Sequence, residues 1–319
     1  NQQPTKGGDV GAKGLGKMEI NTLLAHNARN VLQESLTTKS ERSDAYWRAL
    51  EFGLPPPPPK TPFVTEKFSA MLKGSGINVD KAGTSVSLHA LTDAHVTKLS
   101  SGALTLPTLE KSTSFMVTAK DLKPEKGGLF DPVLTGGLSG TRWAHIELPE
   151  PTISPVFEDA TRRLLGLTKG GLREALATKG GHGVAKDLNA IDLGRKEAEL
   201  IAKTKKARGA DLDDAVKQLK YVRALKDHGF AKAGDAYITS KIAVIPPVMR
   251  PILPSQKSGE LQVSDSNYLY RDMALAAAGL KAAQGVGLPG LTSEARTHMY
   301  DAVAALAGVG EPVSPQLQG

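Results

Sequence analysis

Along the first third of the chain, apolar residues recur at helical spacing. In "MEINTLLAHNARNVLQESL" (18–36), Ile20, Leu23, Leu24, Val31 and Leu32 fall at mixed separations of three and four, which predicts one amphipathic helix. A second helix is expected over "SERSDAYWRALEF". After it, Pro55 to Pro59 restrict φ and make an extended, stiff spacer. "FVTEKFSAML" then predicts a short helix and "GINVD" a short strand, and the turn composition from Lys81 to Ser85 suggests a module boundary near residue 83.

Farther on, the pattern predicts a short helix near 92–100 and strands over "SFMVTA" (114–119) and "WAHIEL" (143–148). In the second strand Ala144, Ile146 and Leu148 alternate with His145 and Glu147. Helices resume at 155. Within 195–228, "RKEAELIAKTKKA" and "DLDDAVKQLKYVRAL" read as an antiparallel helical pair turned by Gly209, with Leu212, Ala215, Leu219 and Val222 three, four and three apart. A second helical hairpin closes the chain, Leu269, Met273, Ala276 and Leu280 facing Ala295, Met299, Ala302 and Leu306 across "GVGLPG". The class these elements make is α+β: mainly helical, multi-module, with short strands and two antiparallel helical hairpins.

Composition narrows the chemistry. The 319 residues contain 33 Gly and 20 Pro but only 5% aromatics, which suits short elements and many loops better than one large enzyme core. A net charge of +7 favours a polyanionic partner. Absence of cysteine excludes disulfides, thiolate zinc sites and cysteine nucleophiles. No apolar run approaches the ~20 residues that span a bilayer, and "NQQPTKGG" lacks the regions of a signal peptide, so no membrane association or secretion is expected.

Individual motifs carry little catalytic promise. "GAKGLGK" (11–17) has phosphate-loop spacing, but Met18 stands where Ser or Thr would ligate magnesium, and no apolar strand precedes Gly11. A glycine loop whose Lys6, Lys13 and Lys17 touch a nucleic-acid backbone fits better. In "DLDD" (211–214), Asp211 suits a helix cap and its neighbours suit the positive end of the helix dipole. His26, His145 and His298 stand alone on secondary structure, no HExxH or GxSxG occurs, and the Asp-x-Asp within "DLDD" belongs to that helix start. "KTKKAR" (203–208) reads as a solvated basic helix face.

A longer pattern is more specific. "VIPPVMRPILPSQKSGELQVSDSNYLYRDM" resembles the lid region of the β′ subunit of bacterial-type multisubunit RNA polymerases. Val244, Pro246, Pro247, Arg250, Pro251, Gly259, Ser264, Asp265, Asn267, Leu269, Tyr270 and Arg271 fall on that family's pattern in register. "LKPEKGGLFDPVLTG" (122–136) is similar to the β′ segment entering its zinc-binding region, and "RWAHIELPEP" (142–151) to the segment leaving it. Earlier, "KGGDVGAKGLGKMEINTLLAHNARNVLQESLTTKSE" is similar to the C-terminal end of the β subunit, through Gly16, Met18, Glu19, Leu24, Ala28, Leu32, Gln33, Glu34, Leu36, Thr37, Lys39 and Ser40; "FSAMLKGSGINVD" continues it.

The resemblance implies a β-like anchor over 1–83 joined to a β′-like clamp module over 84–319, with a lid at 251–264 and a clamp helical hairpin at 267–307. It departs from the family in two places. The four zinc-ligating cysteines and the space for their module are missing, so no zinc is expected; the catalytic Asp-x-Asp-Gly-Asp is also absent, so magnesium and chemistry would reside on another chain. Split, zinc-free enzymes of this kind resemble those encoded by large bacteriophages, which implies a site of action in the cytoplasm of a bacterial host and packaging in the virion. The implied partners are other polymerase subunits, template DNA, the RNA–DNA hybrid and a promoter-recognition factor. Expected phosphate contacts are Lys6, Lys13, Lys17, Arg250, Lys257 and Arg271, and expected partner contacts are Leu288 and Leu291. Ser264 or Asp265 would cap the helix after the lid. The rival reading is a basic architectural or virion protein that binds nucleic acid without polymerase function.

Overall fold

The computed structural model describes residues 11, 13–39, 44–58, 60–83, 85–117, 122–254 and 261–312. It is mainly helical with a few short strands in small sheets, an α+β arrangement. Two compact units divide at 70/71. Among the described residues no helix is long and apolar enough to cross a membrane.

The first unit holds α1 (Lys17–Ala25), α2 (Arg29–Thr37) and α3 (Asp44–Glu51). The single helix expected over 18–36 is thus two. Asn27 adopts φ 52, a left-handed conformation that asparagine tolerates better than most residues, and the amide of Ala28 bonds back to the Leu23 carbonyl at 2.8 Å. Tyr46 on α3 donates to Glu34 on α2 at 2.7 Å and ties these two helices together. Pro55 to Pro58 are exposed and outside regular structure. The unit division falls within α4 (Phe63–Gly74).

In the second unit, β1 (Ile77–Ala82) and β2 (Ser85–Ala90) form an antiparallel hairpin paired from Ile77↔Ala90 to Ala82↔Ser85. The boundary expected near 83 falls on the turn of this hairpin, where Gly83 takes φ 61; cutting there would separate strands that are paired along their whole length. α5 (Asp93–Leu99) follows, capped by Thr92. β3 (Ala103–Leu104), β4 (Ala144–Ile153) and β5 (Ile238–Val244) form one sheet, β3 parallel and β5 antiparallel to the central β4. The strand expected over 114–119 is absent from its described residues, where Val117 makes a lone bridge to Pro124.

Four helices follow β4, of which α7 packs against that strand: α6 (Glu158–Leu164), α7 (Lys169–Asn189), α8 (Leu193–Lys206) and α9 (Gly209–Asp227). The short α10 (Ala233–Tyr237) leads into β5. Their shared core includes Ile153, Leu172, Leu176, Val184, Leu188 and Val222. α8 and α9 make the expected antiparallel pair, turned at Gly209 with φ 54. Arg208, not Asp211, occupies the N-cap of α9; Asp211 lies in the first turn, where its charge still opposes the helix dipole favourably. The chain ends in β6 (Ile252–Pro254), β7 (Leu261–Val263) and the hairpin of α11 (Asp265–Val286) and α12 (Pro289–Leu306).

Candidate nucleic-acid interface

β5 leaves the sheet at Val244 and is broken by Pro246 and Pro247, which begin a 3-10 turn at Pro247–Met249. The chain then enters β6, whose pairing with β7 runs from Ile252↔Val263 to Pro254↔Leu261. The ends of the 251–264 segment therefore form an antiparallel stem, closed below by the Ser264 amide donating to the Pro251 carbonyl at 3.2 Å. Ser264 occupies the N-cap of α11, but its hydroxyl lies 3.0 Å from that of Ser266 and makes no cap bond.

Arg250, expected to touch phosphate, is entirely buried beneath this stem. Its guanidinium donates to the Ile245 carbonyl at 2.8 Å, to Asn267 Oδ1 at 2.8 Å and to the Leu129 carbonyl. The Phe130 ring lies 4.7 Å from the guanidinium carbon and the Tyr270 ring 5.8 Å from it. Tyr270 donates to the Ala243 carbonyl and accepts from the Ile245 amide. Burial pushes the Arg250 pKa down to about 10 and raises that of Tyr270 to about 12, so at neutral pH the pair is a cation beside a neutral phenol. A guanidinium saturated in this way ties together the 129–130 segment, the end of β5 and the first turns of α11. Three residues of the lid-like pattern, Arg250, Asn267 and Tyr270, thus have a structural role.

Of the other expected phosphate contacts, Arg271 is half-buried, stacked over Tyr268 and bonded to Asp272 at 2.9 Å. Lys13 and Lys17 are exposed in the first unit, while Lys6 and Lys257 lie outside the described residues. Within the second unit, Arg250 and Arg271 are both engaged inside the protein, so neither offers a free guanidinium at the surface.

The α11–α12 hairpin is fixed far from its root as well. Glu150 on β4 is buried and accepts from the Gly181 amide at 3.1 Å, Gln284 of α11 at 3.0 Å and Arg296 of α12 at 3.0 Å. Arg296 also donates to the carbonyls of Ala177 and Thr178, where α7 breaks at Gly180, φ 68. Beyond these ties the tip leaves Val286, Leu288 and Leu291 exposed at 61%, 58% and 44%. Both expected partner residues are thus surface residues on a braced hairpin.

Residues 127–140, which run from the segment at 122–136 toward that at 142–151, close on Asp131. Its carboxylate accepts the amides of Gly127 (2.6 Å), Val133 (2.6 Å) and Leu134 (2.8 Å). Burial would raise its pKa, but these amide donors outweigh that and hold it below the usual carboxylate value. Among the described residues no cluster of three or more His, Cys, Asp or Glu is arranged to hold a metal ion.

Two histidine settings escaped sequence reasoning because one partner of each, Ser100 for His145 and His228 for His89, is distant along the chain. His145 is buried and has Ser100 Oγ 2.6 Å from Nδ1 and Glu147 3.5 Å from Nε2. The order of groups is that of a nucleophile, base and acid, but 3.5 Å is too long for a strong orienting bond. His89 packs against the rings of His95 and His228, at 5.4 and 4.7 Å between centroids, and bonds Asp80 at 2.6 Å.

The first unit presents another surface. Met18, Leu24, Val31, Leu36, Trp47 and Phe52 are each at least half exposed. Among its described helical residues before Ala70, only Tyr46 and Ala49 are buried. Compared with models of protein families, the chain matches none, and no curated protein matches it.

Proposed function

We propose that this chain is a noncatalytic, clamp-forming subunit of a multisubunit DNA-dependent RNA polymerase of the kind encoded by large bacteriophages. It would hold template DNA and the RNA–DNA hybrid while another chain supplies the magnesium-binding carboxylates. One observation carries the reading: the lid-like pattern in the sequence coincides with a braced stem-and-hairpin. Arg250, Asn267 and Tyr270 lock the root of a stem that leads straight into a long helical hairpin. The exposed apolar residues of the first unit, among them Met18, Leu24, Val31, Trp47 and Phe52, support a protein that works in an assembly, because exposed apolar side chains in such number suit an interaction surface.

The test is affinity capture of the full chain from cells that make it, followed by identification of the bound chains and assay of the complex. A copurifying chain with Asp-x-Asp-Gly-Asp, and template-directed RNA synthesis by the complex but not by this chain alone, is the expected result. RNA synthesis by the isolated chain, or capture of no such partner, overturns the proposal.

A further inference from the structure

The α8–α9 pair is asymmetric in charge along its length. At its base, cations are matched: Arg195 bonds Glu199 at 3.1 Å, and Glu197 takes both Arg223 at 3.0 Å and Lys226 at 2.5 Å. At its turn they are not. Lys203, Lys205, Lys206 and Arg208 are exposed within six residues of sequence, and none forms an ion pair among the described residues. Two exposed carboxylates, Asp211 and Asp213, follow in α9, while the third, Asp214, is held by Arg163 of α6 and by Gln218. The end stays net positive.

Cations in the last turn of α8 stabilise its negative dipole end, but that effect is modest and falls off within one turn. Four crowded cations also repel one another, so their number exceeds what the helix requires. The helices below the turn are anchored: Asp214 of α9 is bonded by Arg163 of α6, Tyr221 of α9 donates to Asp159 of α6 at 2.8 Å, and α8 and α9 bury Leu200, Ala215, Val222 and Leu225 in one core. An exposed, unneutralised cluster on anchored helices is suited to a partner with repeated negative charge.

We infer that the α8–α9 turn is a phosphate-backbone contact for duplex DNA, formed by Lys203, Lys205, Lys206 and Arg208. It lies on elements other than the lid-like stem and is independent of base sequence, since flexible lysines offer point charges and no fixed pattern toward base edges. The identity of the polyanion rests on the polymerase reading; the existence of the contact does not.

The experiment uses the purified full chain and a fluorescent duplex of arbitrary sequence, with affinity followed by anisotropy over a range of salt. Each phosphate neutralised contributes about 0.9 to the slope of log affinity against log salt. The triple variant Lys203→Gln, Lys205→Gln, Lys206→Gln should weaken binding at least about tenfold at about 50 mM salt and lower the slope by about two to three. Arg195→Gln with Arg223→Gln, at the neutralised base, should leave both unchanged. All five positions are exposed, so circular dichroism and melting temperature should match the parent chain. Equal affinity and slope in the triple variant and parent overturn the contact and leave the polymerase reading standing. A triple variant that binds DNA normally but loses a copurifying chain assigns the turn to a protein partner and overturns it too.

Discussion

Arg250 and Asn267 hold each other by both ends: the guanidinium donates to Asn267 Oδ1 at 2.8 Å, and Asn267 Nδ2 donates back to the Arg250 carbonyl at 2.9 Å. Both are fully buried, so neither has water as an alternative partner. Arg250→Met keeps the volume but orphans three acceptors, and should destabilise the second unit by about 3–5 kcal/mol. Asn267→Ala leaves a buried cation short of one acceptor and should cost about 2–3 kcal/mol. Chemical denaturation of the single and double variants should show strong coupling, with a double-variant loss well below the sum. Two additive losses would mean that the pair does not act as a unit.

The same pair explains why Arg250, expected from the sequence at the surface, is buried instead. Arg250 stands among prolines and polar residues, a setting that looks solvent-exposed along the chain. Its burial depends on Leu129 and Phe130, more than a hundred positions away, and on α11 folding over it. The helical hairpins were legible because their apolar repeats are local. The break at Asn27 was not, since the apolar spacing continues through it and only the left-handed backbone marks it. The strand expected at 114–119 failed for a related reason: among its described residues the apolar run 115–117 finds only a lone bridge from Val117 to Pro124 and no strand to pair with.

Glycine substitutions offer a test of the Glu150 hub. A Cβ on Gly180, at φ 68, would collide with Glu150 Oε1, and one on Gly181 would collide with the Pro151 carbonyl oxygen. Gly181→Ala meets backbone that has no freedom to move and should cost more than about 3 kcal/mol. Gly279 in α11 has nothing within 4 Å of its Cβ position, so Gly279→Ala should stabilise by up to about 1 kcal/mol through helix propensity. Thermal melts of the two variants should therefore move in opposite directions; a shared direction would sink the close packing of α7 on β4.

Acid should weaken the fold in two stages. Burial holds the pKa of His145 below the usual imidazole value, with Lys241 adding to that and Glu147 and Asp93 opposing it. Burial likewise lowers that of His95, with His89, Lys98 and Lys73 adding and Asp80 opposing. A histidine kept neutral in the fold binds fewer protons than in the unfolded chain, so stability falls as pH drops from about 6.5 toward the depressed folded values. His145→Gln should flatten some of this stage. The second stage belongs to carboxylates whose folded pKa lies below the ordinary value, among them Asp131. Their contribution is complete above about 4 and is lost as pH falls through the folded pKa. Asp131→Asn should remove about 2 kcal/mol at neutral pH and reduce the second stage. Denaturation midpoints from pH 8 to 3 read both stages, and a midpoint constant from 7 to 5 would refute the first.

At the far end of the clamp-like hairpin, Leu288 and Leu291 flank the start of α12, where Pro289 occupies its first turn and Gly287 ends α11 with φ 75. Their exposure means that they add little to the core, and Gln284 and Arg296 brace the hairpin just below them through Glu150. Leu288→Ser with Leu291→Ser should therefore change stability by less than about 0.5 kcal/mol per residue. In the proposed polymerase, an apolar tip on a braced support is suited to docking a promoter-recognition partner. The double variant should then lower promoter-specific initiation several-fold while leaving elongation from a preassembled DNA–RNA scaffold intact. Equal loss in both assays would point to a clamp defect, and a fall in melting temperature would show that the two leucines pack within the hairpin. Unchanged initiation would exclude the tip as the docking surface.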